Sequence, residues 1–272
     1  MDLMNRTVLI TGASSGIGAA TAQALSTRGA TVLLVARRDQ ALREVAASLP
    51  GRAGVFPCDV GNPDAVAAMA EQVTAAHGTP DVIINNAGAG RWLWIEETDP
   101  EEFLQMAAVP FHAAFFVTRA FIEPMLARRS GWVVNVNSPI SEWAWPGALG
   151  YGASRWALRG FDECLAADLR GTGVGVTAVV AGHVDSDYFT VNEGALERLP
   201  SLDRYLRRLT PDDVAAMICR ALVEQRRRVV QPLDIRLVNA SARLAPRAVA
   251  WVLGATGASR ARTSASSRPV AR

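Results

Sequence analysis

The 272-residue chain reads as an α/β protein: a doubly wound parallel sheet of about seven strands, with helices on both faces. Three observations predict this. Short β-branched runs alternate with amphipathic stretches along most of the chain. A glycine-rich turn joins the first strand-like run to the first helix-like one. Half of the residues are hydrophobic and a fifth charged, an ordinary balance for one large soluble core.

Taken in order, Thr7–Thr11 is a β-branched, apolar first strand, and a helix from Ile17 to Arg28 stops at Gly29. Thr31–Ala36 is a second strand, with a helix near Asp39–Leu49. A short third strand, Gly54–Pro57, precedes a helix over Pro63–His77, and Val82–Asn85 is the fourth strand. Asp99, Pro100 and Glu102 spell a capping box that opens one long helix. Trp132–Asn137 is a fifth strand, Tyr151–Arg170 a helix and Val174–Val180 a sixth strand. Thr210-Pro211-Asp212-Asp213 starts another capped helix ending near Gln225, and Val229–Gln231 is the candidate seventh strand. Alternation of this kind makes parallel βαβ units, whose ligands bind beyond the carboxyl ends of the strands. The loops after Thr11, Ala36, Cys58, Asn85, Asn137 and Val180 therefore share one edge.

The chemistry begins at Gly12-Ala13-Ser14-Ser15-Gly16-Ile17-Gly18. Gly12 permits a tight turn, Gly16 a close approach to a pyrophosphate, and Gly18 close packing of helix on strand. The helix N-terminus offers free amides and a favourable dipole to phosphate. This makes the fold Rossmann-type. The second strand ends in Arg37-Arg38, where an acidic residue would favour NAD; arginine, with Arg37 expected to hold the phosphate and Ser14 as a further donor, favours the 2′-phosphate of NADP(H).

With these motifs, the chain resembles the short-chain dehydrogenase/reductase family from Thr7 to about Pro232. The matching residues are the glycine loop, Asp59 with Val60, Asn85-Asn86-Ala87-Gly88, Ser138 and Tyr151. The resemblance implies that Asp59 contacts adenine and that Asn86, Ala87 and Gly88 lie along the cofactor. It further implies that Ser138 positions a carbonyl, that Tyr151 exchanges its proton, and that Gly182 and Val184 shape the nicotinamide pocket. The expected activity is NADP(H)-dependent interconversion of a ketone and a secondary alcohol, with Ser138, Tyr151 and Arg155 as the catalytic set. The alternatives are a non-redox enzyme on the same scaffold, such as a cyclase, epimerase or dehydratase, or a cofactor-binding sensor.

Three positions depart from the family pattern. All 28 basic Lys/Arg residues are arginine, and the lysine expected four residues after the tyrosine is Arg155. It keeps the charge but is bulkier and cannot lose its proton. The family's active-site asparagine aligns with Pro110, which preserves a kink but brings no side-chain amide. Ala181 replaces a proline. Either the changes are coding drift in a GC-rich sequence, or the proton relay to bulk water was abandoned; His112 is a candidate substitute.

Trp92, Trp94, Trp143 and Trp145 fall in loops expected at the pocket mouth, consistent with a bulky apolar or aromatic substrate or with loop packing. Trp132 and Trp156 read as internal packing, and Tyr188 and Phe189 lie in the segment that is a substrate lid in the family. Residues 1–232 form one NADP-binding catalytic domain. Residues 233–256 form an amphipathic helical extension divided at Pro246, expected to cover a groove with its arginines outward. Residues 257–272, rich in Ser, Ala and Arg, are expected to be disordered. The net charge of +2 argues against a nucleic-acid partner. Cys58, Cys164 and Cys219 make no metal or disulfide pattern and are expected as buried free thiols. With no signal pattern and no apolar run of membrane-spanning length, a cytoplasmic protein without a firm membrane anchor is expected. The apolar residues of the Tyr151 helix, which the family pairs across a two-fold axis, imply a homodimer or homotetramer.

Overall fold

The computed structural model describes residues 1–259, apart from Ala89, Asp187, 189–191, 193–194 and the side chain of Arg243. Phe189 and most of the expected disordered tail lie outside the described residues. Seven strands form one sheet in the order β3-β2-β1-β4-β5-β6-β7, every neighbouring pair parallel. They are β1 Thr7–Thr11, β2 Thr31–Ala36, β3 Ala53–Pro57, β4 Val82–Asn85, β5 Gly131–Asn137, β6 Val174–Ala181 and β7 Arg228–Gln231. The order reverses between β1 and β4, which opens a crevice above their carboxyl ends.

The central strands are near-continuous Val, Ile and Leu because both faces are covered. On one face Val8, Ile10, Val32 and Leu34 pack with Leu25 of α1 (Gly16–Ser26) and Leu42 of α2 (Asp39–Ser48). Val214, Ile218 and Leu222 of α7 (Pro211–Val223) complete that layer. On the other, Leu9, Leu33 and Ile83 pack with Val66 and Val73 of α3 (Pro63–His77) and with Val117 and Phe121 of α5 (Ala113–Ala127). α7 starts where its cap predicts: Thr210 and Asp213 bond reciprocally to each other's backbone.

The expected long helix from Asp99 is two helices. α4 (Pro100–Ala107) is followed by π-type winding over Ala108–His112, where Val109 leaves helical backbone at φ −134°, ψ 113°, and α5 then continues. Pro110 cannot donate to the ladder, which accounts for the break. Asp99 makes no side-chain cap, and Glu102 pairs instead with Arg91 at 2.8 Å, a charged donor that outcompetes the backbone amide. Cys58 and Cys219 are buried, as expected, but Cys164 is exposed on the outer side of α6 (Leu149–Asp168). Trp156 of the same helix is also turned outward, beneath the Arg159 guanidinium, because it lies off the stripe that carries the buried Tyr151, Arg155, Leu158 and Asp162.

α6 buries a polar cluster against the sheet. Asn135 donates to the Asp162 carboxylate at 2.6 Å and accepts from Asn85 at 2.8 Å, while Asn85 also donates to Thr118. Burial pushes the Asp162 carboxyl up to about 7, against the pull of Asn135 and Arg227. Beyond β7, α8 (Leu233–Leu244) and α9 (Pro246–Thr256) turn back over the crevice. Ile235 and Leu253 form a small core there with Trp143. Arg236 and Arg247 face outward.

Candidate active site

The glycine loop sits at the β1–β4 switch point, and its backbone dictates its sequence. Gly12 (φ +66°) and Gly16 (φ +53°) occupy the left-handed region. A Cβ on Gly12 would fall 2.9 Å from Ala87, and one on Gly18 only 2.2 Å from the Gly12 carbonyl. Thr11 ties this loop to the next: its hydroxyl accepts from the amides of Asn86 and Ala87, and the Asn86 side chain donates to the Thr11 carbonyl. Ser15 precedes α1 without a side-chain cap, so the first amides of the helix keep their donors for another acceptor. Ile17 borders the cavity described below.

The two arginines after β2 behave differently. Arg38 donates to Ser14 at 3.0 Å and to Ser15 at 3.2 Å, closing a basic corner beside the glycine loop, while Arg37 points to solvent. Asp59 is exposed and accepts from the Gly61 amide, and Val60 is buried in the core beneath it. Ser14, Ser15, Arg37 and Arg38 are donors suited to a dinucleotide phosphate, and the described residues contain no cluster suited to a metal ion.

A cavity runs from this loop toward α8 and α9. Ser138, Tyr151, Arg155, Asn86, Gly88, Gly182 and Val184 all line it, so the residues expected for catalysis and for the nicotinamide end do converge. Its far wall is aromatic. Tyr151 stacks on Trp92 with ring centres 5.6 Å apart, Trp92 meets Trp145 at 5.5 Å, and Trp145 meets Trp143 at 5.7 Å. Trp94 is buried away from it, with its amide bonded to Glu97. His112 packs between Phe111 and Phe116 and is not among the lining residues.

Arg155 is buried. One guanidinium nitrogen donates to the Val136 carbonyl at 3.0 Å, another lies against Gly88, and the central carbon sits 5.0 Å from the Tyr151 ring centre. Its Nε has no partner among the described residues. Gly88 admits it because a Cβ there would come within 2.6 Å of that guanidinium.

Three lining features were not legible beforehand. His183 Nδ1 pairs with Asp203 Oδ2 at 2.7 Å, linking the end of β6 to the lid segment. Trp143 donates its indole N–H to Asn239 of α8 at 2.5 Å, fixing the extension as the cavity roof. The Tyr188 hydroxyl accepts from Trp92 and donates to the Gly90 carbonyl, both at 3.2 Å. The signal for the first was a histidine directly after Gly182; the other two had none.

A tyrosine and a serine hydroxyl on one cavity, beside a phosphate-binding loop, define a dinucleotide-dependent enzyme site. The model of the short chain dehydrogenase family matches residues 6–195, and the chain belongs to that family. It is 32% identical to a short chain dehydrogenase of Pseudocercospora fijiensis, over 90% of this chain and 83% of that one. It is 31% identical to the 3-oxoacyl-[acyl-carrier-protein] reductase FabG of Thermotoga maritima, over 80% of this chain and 90% of that one. A short-chain dehydrogenase from Streptomyces avermitilis superposes with a TM-score of 0.79 at 28% identity, covering 90% and 94% of the two chains. A metagenomic short-chain oxidoreductase in complex with NADP gives 0.68 at 31% identity, covering 85% and 97%.

Proposed function

We propose that the protein is an NADP(H)-dependent oxidoreductase that interconverts a ketone and a secondary alcohol on a bulky apolar or aromatic substrate. The observation that carries this reading is the convergence of Ser138 and Tyr151 on a cavity walled by Trp92, Trp143 and Trp145. Gly12, Ser14, Ser15, Gly16, Ile17 and Gly18 would hold the pyrophosphate end, Arg37 and Arg38 the 2′-phosphate, and Asp59 and Val60 the adenine. Asn86, Ala87, Gly88, Gly182 and Val184 would border the nicotinamide end. The bound dinucleotide supplies or takes the hydride. Ser138 donates a hydrogen bond to the substrate oxygen, and Tyr151 gives that oxygen its proton in reduction and takes it back in oxidation. Arg155 holds positive charge beside the Tyr151 ring. The aromatic wall excludes water and selects apolar ligands.

The structural relative bound to NADP and the Arg38 corner both favour NADP(H) over NAD(H). The engagement of Arg155 with the Val136 carbonyl favours the second reading, acid–base chemistry without hydride transfer. One measurement separates them: incubation with NADPH and a panel of aryl and long-chain ketones. Stoichiometric NADPH consumption with alcohol formation supports the oxidoreductase, and product without net NADPH loss supports the alternative.

We further propose a homodimer or homotetramer in the cytoplasm. Phe103 of α4, Phe115 of α5 and Trp156 of α6 are 40%, 47% and 45% exposed, an apolar surface suited to a second copy. No helix among the described residues is long and apolar enough to cross a membrane. Light scattering on the purified protein tests the assembly, and a monomer at micromolar concentration removes it.

A further inference from the structure

We infer that Tyr188 is a positioning residue for Tyr151, its hydroxyl donating a hydrogen bond to the Tyr151 oxygen whenever that oxygen carries negative charge. The inference deepens the ketone–alcohol reading and rests on it for its catalytic meaning. Tyr188 belongs to the segment after β6, yet its ring centre lies 6.1 Å from that of Tyr151. Trp92 organises both: its ring stacks on Tyr151, and its indole N–H donates to the Tyr188 hydroxyl at 3.2 Å. The Tyr188 hydroxyl points its own proton at the Gly90 carbonyl, 3.2 Å away, and interacts with the Tyr151 hydroxyl. Gly90 is itself held close, since a Cβ there would fall 2.8 Å from the Tyr151 ring.

A phenol has one proton and turns freely about its C–O bond. With Tyr151 neutral, the Gly90 carbonyl takes the Tyr188 proton. Once Tyr151 has given its own proton to a substrate oxygen, the phenolate is the stronger acceptor, and the Tyr188 hydroxyl turns to it. The Trp92 N–H remains on Tyr188 throughout, so only a rotor moves. Burial pushes the Tyr188 hydroxyl well above the ordinary tyrosine range; Tyr151 adds to the rise and Arg155 opposes it, so Tyr188 keeps its proton. Among the described residues, the other charged groups on this cavity are Arg155, from the same helix as Tyr151, and the His183–Asp203 pair from the end of β6 and the segment after it. Two supports of the tyrosine are altered here: Arg155 replaces lysine and is bonded to Val136, and Pro110 brings no side-chain amide. The second phenol supplies a donor from the segment after β6.

The chain has three tyrosines, and the third, Tyr205, is 71% exposed. Full-length protein labelled with fluorotyrosine therefore gives three fluorine NMR resonances, assigned by single Tyr→Phe variants and followed against pH. In Tyr188→Phe the Tyr151 titration should move up by about one pH unit, roughly a tenfold change in proton affinity, while Tyr205→Phe leaves it in place. With a working ketone, the pH profile of turnover should move by the same amount. An unmoved Tyr151 titration in Tyr188→Phe with native circular dichroism overturns the inference. If Tyr188→Phe does not fold, the unaltered protein decides: the Tyr188 resonance must inflect at the Tyr151 midpoint, and its absence overturns the inference equally. The titration needs no substrate, so a failed ketone panel sinks the proposed reaction and leaves this result standing.

Discussion

The two ends of the crevice are built from different materials. Around β1 and β4 the surface is backbone: glycines with no room for a Cβ, bare amides at the start of α1, and Thr11 stitching one loop to the next. From β5 to α9 it is side chain: three tryptophans, two tyrosines, the His183–Asp203 pair and a roof carried by Asn239, Ile235 and Leu253. The first material leaves no room for a Cβ at Gly12 or Gly18. The second is assembled from remote segments, so each contact can change without disturbing the sheet. The glycine cradle and the aromatic chamber are thus built separately along one groove.

That separation can be broken or sharpened at four places. The largest effect belongs to Tyr151→Phe, expected to lower turnover about 10²–10⁴-fold while NADPH still binds, because only the proton donor is lost. Turnover at the unaltered rate would move the acid to the other wall.

Asp162→Asn tests the scaffold beneath both halves. The folded pKa of this carboxyl is raised from the ordinary 3.8 to about 7, so the fold favours its protonated form. Its contribution to stability is therefore full below about pH 4 and is lost as pH rises through 7. Asp162→Asn should raise stability at pH 8 by on the order of 2 kcal/mol and leave it unchanged near pH 4, read from urea midpoints. A variant that is less stable at both pH values would show that the carboxylate is paired, not merely buried.

Arg37→Asp and Arg38→Asp address the cradle alone. NADPH should bind at least about tenfold tighter than NADH to the unaltered protein, through charge-assisted contacts. Arg38→Asp should narrow that ratio more than Arg37→Asp, since only Arg38 is braced by Ser14 and Ser15. Equal affinities for the two cofactors in the unaltered protein remove the NADP assignment. The smallest effect is on the roof: Trp143→Phe leaves the Asn239 acceptor without its donor and should cost about 1 kcal/mol in thermal unfolding. The same variant should raise KM for an apolar ketone and leave NADPH affinity alone; a matching loss of NADPH affinity would show the halves to be coupled.

The difference between the halves also governs what the sequence made legible. The glycine loop and the start of α7 at Thr210 depend on residues within a few positions of one another, so local chemistry suffices. Pro110 marked a kink, but not how far Val109 would leave the helix. The Asp99 cap failed because Glu102 found Arg91, eleven residues away. The sequence pointed to Arg37 for the 2′-phosphate, whereas the geometry of the turn after β2 brings Arg38 to Ser14. The pairs that define the substrate end, Trp143 with Asn239 and Trp92 with Tyr188, are each 96 residues apart and leave no spacing to detect.

The roof has one more consequence, which concerns order in time. α8 and α9 follow the last strand of the sheet, so they leave the ribosome after every residue of the nucleotide cradle. Synthesis therefore completes the strands and loops of the cradle before any enclosed apolar chamber exists. Until Asn239 reaches Trp143, the tryptophan wall is a sticky, half-open face on a nascent chain. Any dinucleotide bound to the cradle at that stage would stabilise the sheet on which the roof must close.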